Sequence, residues 1–217
     1  MRTPIGKGYV ASEMNDALDL PSLFRAVVLR EHRDAFAHAC AIAAEEGGGT
    51  LVWVRRFDSV EFAVVLEPDE PLRAARRALY GVMNAAGDAL ASNCPPEKPI
   101  GFTWPDTITL DGRIIGGARL AWPENAAEDE VPEWIVAGVV LRSTIPLIAS
   151  TGKNSSPFDL THSKGTSLEI EGFEMIEAAI LINSFARHLM LYADQWQETG
   201  FKAVAERYLT WLPEDKT

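Results

Sequence analysis

Asp111-Gly112 constrains the fold of this chain more than any other pair of residues. A two-residue hairpin turn of type I′ needs positive φ at both central positions, and Asp-Gly between β-forming runs is the strongest short-range sign of one. It makes residues 100–110 and 113–122 antiparallel neighbours. Within the first of these runs, Trp104-Pro105-Asp106 interrupts the pattern. Proline has no N–H to give to a ladder, so the strand is expected at a sheet edge or bulged at Pro105. On the returning strand, Gly116 and Gly117 leave no side chain over the neighbouring strand, which invites a ligand or another backbone to approach closely.

Other elements follow from periodicity. LFRAVVL at 23–29 reads as a strand leading into an alanine-rich helix at 32–46, whose apolar face includes Phe36, Cys40 and Ala43. Three glycines, 47–49, end that helix. Residues 50–54 and 61–66 form a second hairpin around the turn 55–59. Pro71 suits a first helical turn, and a long helix is expected from there to about 92, with apolar residues stepping by three and four. IVAGVVL, within 134–142, is a buried strand, and 144–166 is expected to loop. Two helices, about 171–192 and 197–209, close the chain, broken near Thr199-Gly200. Strands and helices mix without strict alternation, so the fold class is α+β, a mixed, largely antiparallel sheet with packed helices. Residues 1–22 are expected to form an N-terminal arm and 23–217 a single domain.

Charge and composition narrow the function classes. With 31 acidic and 20 basic residues the 217-residue chain carries a net charge of −11, which repels a phosphate backbone, so nucleic acid and anionic membranes are poor partners. Two cysteines, Cys40 and Cys94, make no disulfide framework, and four scattered histidines give no metal signature, so no metal site is expected. No stretch reaches the ~18 apolar residues of a membrane span. These features read as a reduced, cytoplasmic, soluble protein.

The segment FTWPDTITLDGRIIGG resembles the biotin and lipoate protein ligase family, which has a KWPND stretch, an Asn-Gly or Asp-Gly turn, and a KxxG pattern on the returning strand. Further matches follow in order: WIVAGVVLR stands in place of the family's GxGxN strand, GTSLEIEG resembles its TSL…E.G segment, and DQWQETGFKAVAERYLTW its closing helix. The resemblance covers roughly residues 20–212. It implies a catalytic domain related to class II synthetases, which activates biotin or lipoate with ATP as an acyl-adenylate and passes the acyl group to a carrier-domain lysine. A transferase branch instead moves octanoyl groups through a cysteine. ATP with Mg²⁺, and biotin or lipoate, are the cofactors and substrates this reading brings, a biotinyl or lipoyl carrier domain its partner, and a homodimer is left open.

Carried over by position, the resemblance puts Trp104 and Asp106 at the ligand pocket, Arg55 and Arg56 in the loop that covers the adenylate, and Gly116, Gly117, Gly138 and Arg142 on the strands beneath it. The family's catalytic lysine falls on Ile114 without gaps; a one-residue slip gives Arg113 an RxxG reading and makes it the catalytic cation. The alternative for Arg113 is a solvated turn residue. The loop at 55–59 contains no glycine, and Val140 stands where the family keeps a small residue. Neither cysteine matches the octanoyl-transfer nucleophile, and His162 reads as a solvated loop residue rather than a base. With few residues after 209 and before the match, neither a tail domain nor a DNA-binding helix-turn-helix is expected. The resemblance therefore suggests an acyl-adenylate ligase or acyltransferase. Degraded catalytic positions on a kept scaffold suggest instead an inactive homologue that binds a ligand or a protein. A third reading is a distinct enzyme using Arg113 and Arg142 on an anionic substrate.

Overall fold

The computed structural model describes residues 18–95, 97–145, 165–173 and 177–213. In chain order the elements are β1 (Arg25–Leu29), α1 (Ala35–Glu46), β2 (Thr50–Arg55), β3 (Ser59–Leu66), α2 (Leu72–Ala75), α3 (Ala78–Ala91), β4 (Ile100–Thr103), β5 (Thr107–Leu110), β6 (Arg113–Ala121), β7 (Ile135–Arg142), α4 (Ala178–Thr199) and α5 (Lys202–Leu209). The strands form one sheet in the order β1-β2-β3-β7-β6-β5-β4. Only β1 and β2 run parallel. Every other neighbouring pair is antiparallel. The mixed α+β sheet with packed helices is thus as the sequence implies.

Each face of the sheet buries a different set of side chains, because alternate residues of a strand point to opposite sides. Leu51, Trp53, Phe62, Val64, Val139 and Leu141 join Val82, Leu90, Ile182 and Phe185 in the larger core, beneath α3, α4 and α5. Phe62 meets Phe185 edge to face, ring centroids 4.7 Å apart. On the other face Val52, Val54, Ala63, Val65 and Val136 lie against Ala35, Ala39 and Ala43 of α1. The buried stripe of α1 is therefore alanine, with Phe36 and Cys40 only partly buried beside it. Small side chains let the helix axis sit close to the sheet. The helix starts at Ala35 rather than 32, because the Asp34 carboxylate accepts the Ala37 N–H at 2.8 Å and caps it.

Several expectations shift. Residues 100–110 are not one interrupted strand: Thr103 pairs with Thr107 and Phe102 with Ile108, so Trp104-Pro105-Asp106 is the turn of a hairpin, with a cis Trp104–Pro105 bond. Pro105 therefore takes no ladder donor away. The next turn is as expected, with Asp111 at φ 48° and Gly112 at φ 72°. The helix expected from 71 to 92 divides into α2 and α3 at Arg76-Arg77, where ψ tightens to −18° and −12°. There the Arg77 Nε donates to the Ala74 carbonyl at 2.9 Å. The first closing helix begins at Ala178, leaving Glu171 in a turn, and continues to Thr199 before Gly200 breaks it. Of the N-terminal arm, residues 1–17 lie outside the described residues, while Leu18 and Leu20 pack against the larger core. Most of the expected loop at 144–166, His162 included, also lies outside them.

Candidate functional site

The register of β6 decides which predicted site residues meet. Leu110 pairs with Arg113 and Thr109 with Ile114, but Ile108 pairs with Gly116, so Ile115 is an extra residue in β6. This bulge changes the alternation of sides. Arg113 shares a side with Gly116, and Ile114 shares the other with Gly117. A pattern spaced i, i+3 can thus lie on one face of a strand, which straight pleating forbids. Gly117 pairs with Val140 and Arg119 with Gly138, so Ile114, Gly117, Gly138, Val140 and Arg142 belong to the face that α1 packs on. Arg113 and Gly116 belong to the opposite face. The slipped RxxG reading therefore brings Arg113 out on the side away from Gly138 and Arg142.

On that opposite side Arg113 reaches Glu171. The Glu171 side chain is 0 % exposed and ion-pairs with Arg113, whose own side chain is 44 % exposed. Glu171 also accepts from Lys98 Nζ at 3.0 Å and from the Thr166 hydroxyl at 2.5 Å. Burial alone would raise the Glu171 pKa, but the Thr166 and Lys98 hydrogen bonds and the Arg113 and Lys98 charges outweigh it and hold the carboxyl below its ordinary range. The carboxylate is an anchor rather than a base. It ties the turn at 165–173 to β6 and to the loop before β4, and the Thr166 N–H donates to the Ile114 carbonyl at 2.9 Å in the same seam. Leu168 N–H donates to the Arg142 carbonyl, also at 2.9 Å, so the turn continues along the sheet where β7 ends.

On the α1 face the other residues are also spoken for. A Cβ on Gly138 would lie 2.5 Å from Phe36 Cδ2, so glycine here makes room for the Phe36 ring. The Arg119 guanidinium stacks over that ring at 4.0 Å and lies 3.7 Å from the Asp34 carboxylate. Gly116 has a different constraint: a Cβ there would lie 1.9 Å from the Val140 carbonyl oxygen, so the neighbouring backbone makes the close approach. Arg56 pairs with Glu61 at 2.7 Å and donates to the Arg33 carbonyl at 2.9 Å. Glu61 in turn accepts the Ala35 N–H at the start of α1. Arg55 lies on the other side, its guanidinium 5.3 Å from the centre of the Trp53 ring.

The Trp-Pro turn stands apart from these groups. Trp104 is 66 % exposed. The Asp106 carbonyl accepts from Ala118 N–H at 2.9 Å, and the Pro105 carbonyl from the Tyr208 hydroxyl at the same distance. Burial, with Tyr80 and Asp106 nearby, pushes the Tyr208 phenol up to about 12. Cys40 and Cys94 are half-buried, and burial raises both thiols, which leaves neither an activated nucleophile. Among the described residues no group of His, Cys, Asp and Glu is arranged to hold a metal ion, and no helix is long and apolar enough to cross a membrane. Sequence reasoning passed over Glu171, Lys98, Thr166 and Phe36 as site residues. Glu171 and Thr166 stood in a noticed motif, whereas Lys98, in a proline-rich loop, carried no signal.

A mixed sheet with one helix on one face and three on the other, crossed by these motifs in order, defines the catalytic-domain fold of biotin protein ligases. The chain matches the biotin/lipoate A/B protein ligase family over residues 20–210, and it belongs to that family. A biotin protein ligase-like protein of unknown function from Silicibacter sp. TM1040 is 25 % identical, with a TM-score of 0.77 over 90 % of this chain and 81 % of that one. Biotin protein ligase from Aquifex aeolicus gives a TM-score of 0.66 at 14 % identity over 87 % and 78 % of the two chains. The Leishmania major enzyme in complex with biotinyl-5-AMP gives 0.62 at 14 %, over 89 % and 83 %. No curated protein matches the chain.

Proposed function

We propose that this chain is a catalytically inactive member of its family that acts by binding a biotinyl or lipoyl carrier domain, without activating an acyl group as an adenylate. The observation that carries the reading is the ion pair between Arg113 and the buried Glu171 carboxylate. An adenylate-forming site needs a cation free to meet charge developing between a carboxylate and an α-phosphate. Here Arg113, the cation beside the lysine's place in the motif, is paired with an internal carboxylate and lies on the other side of the sheet from Gly138 and Arg142. Ile114, an uncharged residue, stands at the ungapped lysine position. Phe36 and Arg119 occupy the space above Gly138, which the resemblance leaves for a ligand. The described residues thus fit ATP, Mg²⁺ and biotin or lipoate poorly, and no chemical step is routed through them.

In this reading residues 23–217 work as one ligase-like unit behind the arm at 1–22, in the cytoplasm with the carrier proteins. The test pairs two assays on the full chain. Pyrophosphate exchange with Mg-ATP and biotin, lipoate or octanoate is expected to stay at background. Calorimetric titration with purified biotinyl and lipoyl carrier domains is expected to show saturable binding to one of them, unchanged within about twofold in Arg113→Ala. Adenylate formation by the wild type would overturn the proposal, as would the absence of binding to either carrier domain.

A further inference from the structure

A cavity among the described residues lies at the end of the sheet opposite the Arg142 end of β7. It measures about 460 Å³, within the range of small-molecule sites. None of the site residues carried over from the ligase resemblance lines it. Its lining is rich in small residues, Gly48 and Gly49 just after α1 with Ala75, Ala78 and Gly81.

The chemistry of the walls is one-sided. Leu66 and Ile135, paired across β3 and β7, join Leu189 and Met190 of α4 in an apolar floor. Phe24, Tyr192 and Trp196 add aromatic surface. The remaining charged wall is wholly acidic, Glu67, Asp69 and Glu70, with no lysine, arginine or histidine among the lining residues. Glu70 is answered by Arg77 at 2.6 Å. Among the described residues Glu67 accepts only the Gly48 N–H, at 2.8 Å, and no cation among them pairs with Glu67 or Asp69. An apolar floor excludes water and strengthens the field of the carboxylates at its edge. Aromatic rings attract a cation through their faces; the Trp196 ring already carries the Arg77 guanidinium, 5.4 Å from its centre, so Phe24 and Tyr192 are the rings left to do so. The same carboxylates repel an acyl carboxylate or a phosphate.

We propose that this cleft binds a small amphipathic cation: an apolar alkyl or aryl body seated on Leu66, Ile135 and Leu189, with its protonated amine toward Glu67 and Asp69. The site is separate from the carrier-binding reading above and stands or falls independently of it.

The probes are decyltrimethylammonium and decanoate, equal in chain length and opposite in charge, each titrated below its micelle concentration into the full chain and followed by calorimetry and tryptophan fluorescence. The ammonium is expected to saturate a single site and the carboxylate to bind at least about tenfold more weakly. The double variant Glu67→Gln, Asp69→Asn is expected to bring the two probes within about threefold of each other. Both side chains are at the surface, so this variant keeps the fold. Ala78→Leu, which places a larger side chain in the opening, is expected to abolish binding of the ammonium, with thermal melting confirming that the chain remains folded. Equal affinity for the two probes in the wild type, a preference that survives the double variant, undiminished ammonium binding in a folded Ala78→Leu chain, or no saturation by the ammonium would each overturn the assignment.

Discussion

Glu171 holds three partners that lie far apart in the chain: Lys98 before β4, Arg113 at the start of β6, and Thr166 five residues upstream. A fully buried carboxylate is tolerated only with such company, because desolvation favours its neutral form. Glu171→Ala removes the shared anion and leaves two cations facing each other. Breaking a buried pair costs about 3–5 kcal/mol, but Arg113 and Lys98 each keep contact with solvent, so the expected loss is about 2–3 kcal/mol by urea denaturation at neutral pH. The pH dependence has a definite sign. The folded-state pKa of Glu171 is depressed, so its contribution is present above the unfolded pKa and is lost as pH falls through the folded value. Wild type should therefore lose more stability than Glu171→Gln as the pH drops below about 4, and the two curves should converge in acid. Parallel curves would mean that Glu171 is not ionised in the folded protein.

Packing of α1 against β7 shows how one element sets the limits of another. The helix approaches through Ala35, Ala39 and Ala43, and the ring of Phe36 needs the missing side chain of Gly138. Gly138→Ala drives a methyl group into the ring and is expected to cost about 1–3 kcal/mol. Phe36→Leu in the same chain should recover part of that loss, since it removes the ring atom that is struck. A neutral Gly138→Ala would show that the ring moves aside freely and that the glycine serves something other than this contact. Periodicity in the sequence located α1 and β7 and the glycine within β7, but it could not say that Phe36 sits over Gly138. That contact joins residues about a hundred positions apart, and no local pattern encodes it.

Across the whole molecule, stability should grade from the centre of the sheet to its margins. β3 and β7 each have antiparallel neighbours on both sides and helices above and below, whereas β1 pairs on one side only and is half exposed. The other margin is partly covered, since Phe102 N–H donates to the Trp211 carbonyl after α5 at 2.8 Å. Hydrogen exchange is expected to be slowest in β3 and β7 and fastest among the strands in β1. Exchange in β1 as slow as in β3 would point to a partner along that edge. Most of the element order, two of the three hairpins, the break at Gly200 and the family were legible in the sequence, because turn chemistry, periodicity and ordered motifs are properties of neighbouring residues. The Trp-Pro interruption was legible as a break but not as a turn, since a proline within a β-rich run is compatible with either. Which side of the sheet Arg113 faces, and that it meets Glu171 there, followed only from the bulge at Ile115 and from folding the 165–173 turn back onto β6. A bulge reverses the sides of every residue beyond it, and a buried carboxylate takes partners from wherever the chain returns. The sequence by itself determined the architecture; the tertiary structure alone decided which charges are available and which are already paired.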